Sequence, residues 1–173
     1  MKVYLGWVLV LLLVVMFTPS PTVVYEAVYV DNIIVVSRND ATIMKERVVF
    51  TSFWPSDATG SGTITHSGLA ISDFQLNENN WYTYHGMVVV ATATTQCLES
   101  SKGSCGKYME PLDTHHYFDL FSIIQIIVDG KTYDAIVLDS CGACFWDEEY
   151  QRVDIFVKDK NASVGKVKGA ILY

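Results

Sequence analysis

Leu120-Phe-Ser-Ile-Ile-Gln-Ile-Ile-Val-Asp-Gly-Lys-Thr-Tyr-Asp-Ala-Ile-Val-Leu-Asp139 decides the fold class. Leu120 to Val128 is rich in β-branched residues, and Tyr133 to Leu138 is a second, largely apolar run closed by Asp139. Between them Asp129-Gly130 is a dipeptide that tight hairpin turns favour, because such turns need positive φ at both central positions. The segment therefore reads as two antiparallel strands joined by a short turn.

Working outward, Asp139-Ser-Cys-Gly-Ala-Cys144 has turn chemistry, and Arg152-Val-Asp154-Ile-Phe reads as strand again, with Val153, Ile155 and Val157 alternating with Asp154, Phe156 and Lys158. Upstream, Val48 to Trp54 is strand-like and stops at Pro55. A Gly/Ser/Thr loop runs from Ser56 to Gly68, and a polar stretch with Asn77, Asn79 and Asn80 leads to Trp81-Tyr-Thr-Tyr84. Gly86 to Thr95 reads as a long strand, Gln96 to Thr114 as a cysteine-bearing loop, and Lys166 to Tyr173 as a last strand. Six or more strands with little helical periodicity point to an all-β domain, and a closed barrel would leave it no exposed edges. That domain spans 47–173; 23–46 is a stalk, linker or first hairpin, and 1–22 is set apart by its composition.

At 173 residues the chain has room for one domain with a proper core. Half of it is hydrophobic and Pro is scarce, which argues for a β-rich globular fold rather than disorder. Lys2 precedes a charge-free run from Val3 to Phe17, closed by Thr18-Pro-Ser-Pro-Thr22, the pattern of an export signal. The run is short of the ~20 residues of a membrane span, and Pro21 spoils the best cleavage site, so a signal anchor competes with a cleaved signal. Either places the protein outside the cytoplasm, membrane-anchored or secreted. The net charge of −7, without a dense Lys/Arg cluster, speaks against nucleic acid as partner. A neutral or mixed-charge polymer such as a glycan is compatible with it.

The four cysteines fall as Cys97-x7-Cys105 and Cys141-x2-Cys144. On an exported chain disulfides are the default, with three connectivities possible. A four-cysteine zinc site competes, although the x7 spacing is loose for it. Chemistry concentrates at Asp139 and Asp154, since two strands that deliver carboxylates to one groove let burial and neighbours separate their pKa values. The plainer account is that Asp139 caps the turn after it and Asp154 pairs with Arg152 or Lys158.

Taken in order, Thr65-His-Ser-Gly68, Val88-Val-Val-Ala91, Asp129-Gly130, Asp139-Ser-Cys-Gly-Ala143 and Arg152-Val-Asp154-Ile-Phe156 resemble the Asp-Asp-Asp ("3D") domain over about residues 47–173. The resemblance implies the six-stranded double-psi β-barrel shared with the membrane-bound lytic transglycosylase A family and, more distantly, with expansins. It implies action on peptidoglycan without metal or cofactor, a membrane link through the N-terminal segment, Asp139 as the catalytic acid and Asp154 as a second carboxylate. The third family Asp is replaced by Ala93, and Cys141 stands where the family has Gly.

The reaction so implied is non-hydrolytic cleavage of the β-1,4 bond between N-acetylmuramic acid and N-acetylglucosamine. Thr65, Ser67, Thr92 and Arg152 are the expected substrate-binding residues, and Trp146 the expected sugar-stacking platform. His66, His85, His115 and His116 lack ligand spacing and read as structural or surface residues. The rivals are a non-catalytic wall-polysaccharide-binding barrel of expansin type and a zinc-stabilised envelope or phage-associated structural protein.

Overall fold

The computed structural model describes residues 25–30, 33–38, 44–57, 62–99, 112–113, 115–145 and 149–173. Tyr25–Val30 (β1) and Ile33–Arg38 (β2) pair antiparallel as a two-stranded sheet of their own. The other strands form one sheet: Met44–Phe53 (β3), Gln75–Leu76 (β4), Tyr82–Tyr84 (β5), Met87–Thr92 (β6), Ile123–Val128 (β7), Lys131–Ser140 (β8), Gln151–Phe156 (β9) and Val167–Leu172 (β10).

Six of these strands close on themselves. The order β6-β8-β7-β10-β3-β9 is completed by pairing of β9 back to β6, so the all-β expectation holds and the sheet is a closed six-stranded barrel. The pairs β6/β8 and β3/β9 are parallel, and the other four are antiparallel. The hairpin of β7 and β8 turns where expected, with Asp129 at φ 49° and Gly130 at φ 74°. Strand β6 changes neighbour along its length: Met87 and Val88 pair with β5, whereas Val90, Ala91 and Thr92 pair with β9.

Alternation along the strands builds two cores. Val48, Phe50, Val88, Val90, Ile124, Ile126, Ala135, Val137, Val153, Ile155 and Ile171 come from all six barrel strands and fill its interior. The intervening residues Val89, Ala91, Ile136, Leu138 and Phe156 lie on the opposite face of the sheet, where Phe74, Tyr84, Cys97, Cys144 and Phe145 cover them. At about 1.5–3 kcal/mol per fully buried large side chain, each core is a main source of stability. One close approach fixes the barrel wall: a Cβ on Gly169 of β10 would stand 2.0 Å from the Ile127 carbonyl oxygen and 2.7 Å from Phe50 Cε2.

Two sequence expectations need amendment. The segment from Gln96 onward was expected to be loop, but Thr95–Glu99 forms a short helix (α1), because Thr94 accepts the Cys97 N–H on its hydroxyl at 3.2 Å and caps the turn. The first barrel strand begins at Met44, earlier than Arg47. Residues 1–22, expected as the signal or anchor, lie outside the described residues. Among the described residues no helix is long and apolar enough to cross a membrane.

Candidate functional site

The site forms where β6 lies between β8 and β9. A register shift between Val90 and Ala91 sets Val90 opposite Val137 but Ala91 opposite Asp139, so β8 carries one extra residue at Leu138. Such a bulge re-aims the residues at a strand end. On the other side of β6, Ala91 stands opposite Asp154 of β9. The methyl group of Ala91 thus separates two acidic positions that are adjacent in neither sequence nor strand, and both carboxylates line one cleft of about 460 Å³ together with Phe53, Ser140, Arg152 and others.

The two carboxylates differ in their surroundings. Asp154 is buried and held by charge: Arg152 donates from Nε to Oδ1 at 2.7 Å and from Nη2 to Oδ2 at 3.1 Å, and the Thr51 hydroxyl donates to Oδ1. Residues 152 and 154 share a face of β9, and Thr51 is the parallel cross-strand partner of Asp154 on β3, so pleat and register bring the three together. Arg152 Nε also donates to Thr51 Oγ1 at 2.9 Å. Asp154 is therefore an ion-paired carboxylate, as the plainer reading of the sequence had it, with Arg152 rather than Lys158 as the partner.

Among the described residues Asp139 has no such cation. Its Oδ1 accepts the backbone N–H groups of His66 and Ser140, each at 2.9 Å, and among the described residues no donor reaches Oδ2. Burial raises its pKa above the ordinary carboxylate value; the two backbone hydrogen bonds and the nearby His66 ring act in the opposite direction and only moderate that rise. Asp154 is not among these influences, so burial, not like-charge repulsion, favours the proton on Asp139.

A chain of hydroxyls runs away from Asp139. His66 Nδ1 lies 2.6 Å from Ser140 Oγ, which lies 2.6 Å from Thr94 Oγ1. His66, read from the sequence as structural or surface, is exposed, and it touches the site through its backbone N–H on Asp139 and its ring on Ser140. Its neighbours serve the loop instead. Thr65 Oγ1 donates to the Leu69 carbonyl at 3.1 Å and lies 2.8 Å from Ser67 Oγ, while Ser67 N–H donates to the Leu138 carbonyl at 3.1 Å and docks the loop onto β8.

Of the expected substrate-binding residues, Arg152 lines the cleft, while Thr65, Ser67 and Thr92 are not among its lining residues. Thr92 is fully buried and donates to the Arg152 carbonyl at 3.0 Å. Trp146 lies outside the described residues. Ala93, where the resemblance places a third acid, is fully buried in the outer core. Cys141 and Cys144 form a disulfide, and Cys97 is also disulfide-bonded; Cys105 lies outside the described residues. Sulfurs so bonded offer no thiolates for the four-cysteine zinc site.

Chemically, the cleft offers one half-buried carboxyl inclined to hold a proton, beside a neutralised ion pair. That arrangement suits a single group that gives and then retrieves a proton. Comparison with protein-family models, with curated proteins and with solved structures finds no match for this chain.

Proposed function

We propose that this protein is an exported enzyme that cleaves peptidoglycan glycan strands by the lytic transglycosylase route, with Asp139 as general acid and then general base. The observation that carries this reading is the Asp139 carboxyl itself, half-buried at a cleft, its pKa raised, with Oδ1 fixed by two backbone donors and Oδ2 untouched by any described donor. A protonated Oδ2 gives its proton to the glycosidic oxygen as the bond to the anomeric carbon breaks. The resulting carboxylate then takes the proton of the sugar's own 6-hydroxyl, whose oxygen closes a 1,6-anhydro ring. One residue working in both directions needs no second free acid, which suits a cleft whose other carboxylate is bound to Arg152.

In this reading the barrel is a double-psi barrel, supported by its two parallel pairs β3/β9 and β6/β8, and residues 1–22 deliver or tether it outside the cytoplasm. A second reading is favoured by a specific feature. With Asp154 neutralised and Ala93 buried where a third acid is expected, the cleft also suits a non-catalytic barrel that holds wall polysaccharide.

The test is incubation of the protein with peptidoglycan and mass spectrometry of the soluble products, with Asp139→Asn in parallel. The expected result is 1,6-anhydromuropeptides from the wild type and a loss of about 10²- to 10⁴-fold in the variant. Ordinary reducing ends would overturn the transglycosylase route in favour of hydrolysis. Retained sedimentation with the polymer and no products would replace catalysis by binding.

A further inference from the structure

The floor of the cleft carries a second constellation that proton transfer at Asp139 does not use. Cys141 Sγ, Cys144 Sγ and a carboxylate oxygen of Asp154 lie within 4.8 Å of one another, and all three residues are buried. The two oxygens of Asp154 are not equivalent. Oδ1 is held by Thr51 and by Arg152 Nε, while Oδ2 accepts from Arg152 Nη2 at the longer distance of 3.1 Å and lies 3.3 Å from Cys141 Sγ, a sulfur that in a disulfide has no hydrogen to donate. That contact is close without being a hydrogen bond.

We propose that reduction of Cys141–Cys144 turns this cluster into a binding site for a borderline divalent cation of the zinc class, with Cys141 Sγ, Cys144 Sγ and Asp154 Oδ2 as three ligands and a water on the cleft side as the fourth. In tetrahedral zinc, metal–sulfur bonds of ~2.3 Å and metal–oxygen bonds of ~2.1 Å set neighbouring ligand atoms roughly 3.6–3.8 Å apart. The sulfur-to-oxygen distance of 3.3 Å is close to this, and the sulfurs separate once their bond opens. The C-x2-C spacing is that of a zinc knuckle. Charge also closes: two thiolates and a carboxylate carry three negative charges, against two from the cation and one from Arg152, so the buried site is neutral. Arg152 Nε and Thr51 stay on Oδ1 and orient the carboxylate as outer partners. Thiolate ligands favour zinc over magnesium or calcium.

The redox step balances with an external dithiol. The S–S bond breaks as two electrons arrive from the dithiol, which becomes a disulfide, and its two protons pass to the cysteine sulfurs. The cation then displaces both protons to solvent. Oxidation reverses the sequence and releases the cation, so the oxidised protein described above holds the sulfurs in their non-ligating form.

The test uses the full chain in detergent, reduced with a phosphine and titrated anaerobically with Co²⁺ as the spectroscopic probe. One Co²⁺ per chain is expected, with a thiolate-to-cobalt charge-transfer band and the visible bands of tetrahedral cobalt, displaced by one equivalent of Zn²⁺. X-ray absorption of the zinc form should give two sulfur and two oxygen neighbours. The oxidised protein and Cys141→Ser/Cys144→Ser should show no band, with circular dichroism confirming that the variant is folded. The proposal is overturned by absence of the band in the reduced chain, by its persistence in the folded Cys141→Ser/Cys144→Ser variant, or by a shell of three or four sulfurs, which would draw in the other cysteines. Loss of wall cleavage has no bearing on any of these readouts.

Discussion

Replacing Arg152 by Met tests the ion pair that separates the two carboxylates into different roles. The substitution keeps most of the aliphatic packing and removes two charge-assisted hydrogen bonds to Asp154, at 2.7 and 3.1 Å, together with one to Thr51. Asp154 is left with one hydroxyl donor and its charge in a site where its side chain is only 8% exposed. Removing one partner of a fully buried pair costs about 3–5 kcal/mol. Here the Arg152 side chain is 31% exposed, so water reaches the gap, and the expected cost falls to about 2–3 kcal/mol. For a chain of this length that lowers Tm by about 4–12 °C.

The assay is thermal and urea unfolding followed by circular dichroism, with Asp154→Asn and the double variant completing the cycle. Because the double variant no longer buries a lone charge, it should recover most of the loss, with a coupling of about 2 kcal/mol. A single variant within about 0.5 kcal/mol of wild type, or a strictly additive double variant, would refute the account of Asp154 as a charge that depends on Arg152.

Asp139 should behave in the opposite sense. Its folded pKa lies above the unfolded value, so its contribution to stability is whole below the ordinary carboxylate pKa and is lost as pH rises through the folded value. Asp139→Asn keeps an Oδ1 acceptor for His66 and Ser140, and should therefore equal wild type near about pH 3 and exceed it near about pH 7 in urea midpoint; a variant that loses ground as pH rises would contradict this. Gly169→Ala places a methyl 2.0 Å from the Ile127 carbonyl oxygen and should cost about 3 kcal/mol or more, seen as a lower urea midpoint; an unchanged midpoint would mean that β10 is not seated against β7 as described.

What the sequence disclosed and what it withheld follow from the range of the interactions involved. The β7–β8 hairpin was legible because Asp129-Gly130 encodes its own backbone geometry, and the strands were legible because alternation is local. The strand end that delivers Asp139 and the strand interior that carries Asp154 were found for the same reason. Their meeting across Ala91 depends on β6 changing partners midway and on a bulge at Leu138, neither of which leaves a local pattern. Pairing of Asp154 with Arg152 was within reach, since alternate strand residues share a face, whereas the contribution of Thr51 comes from a position 103 residues away. His66 was passed over because its decisive contact is a backbone amide, which any residue type could supply. Helix α1 did carry a signal, Thr94 as an N-cap, inside a segment too short for helical periodicity to show.

The ring closure has a consequence for how the chain reaches its folded state. Among the described residues strand β3 pairs with β9 and β10 alone, so the first strand of the barrel has no sheet neighbour until those two strands are made. Contacts of such large sequence separation form slowly, because a long loop must be closed before any pairing energy is gained. A nascent chain of this design holds β3 without its partners while the intervening strands are being made, and it can close the ring only once β9 and β10 have emerged.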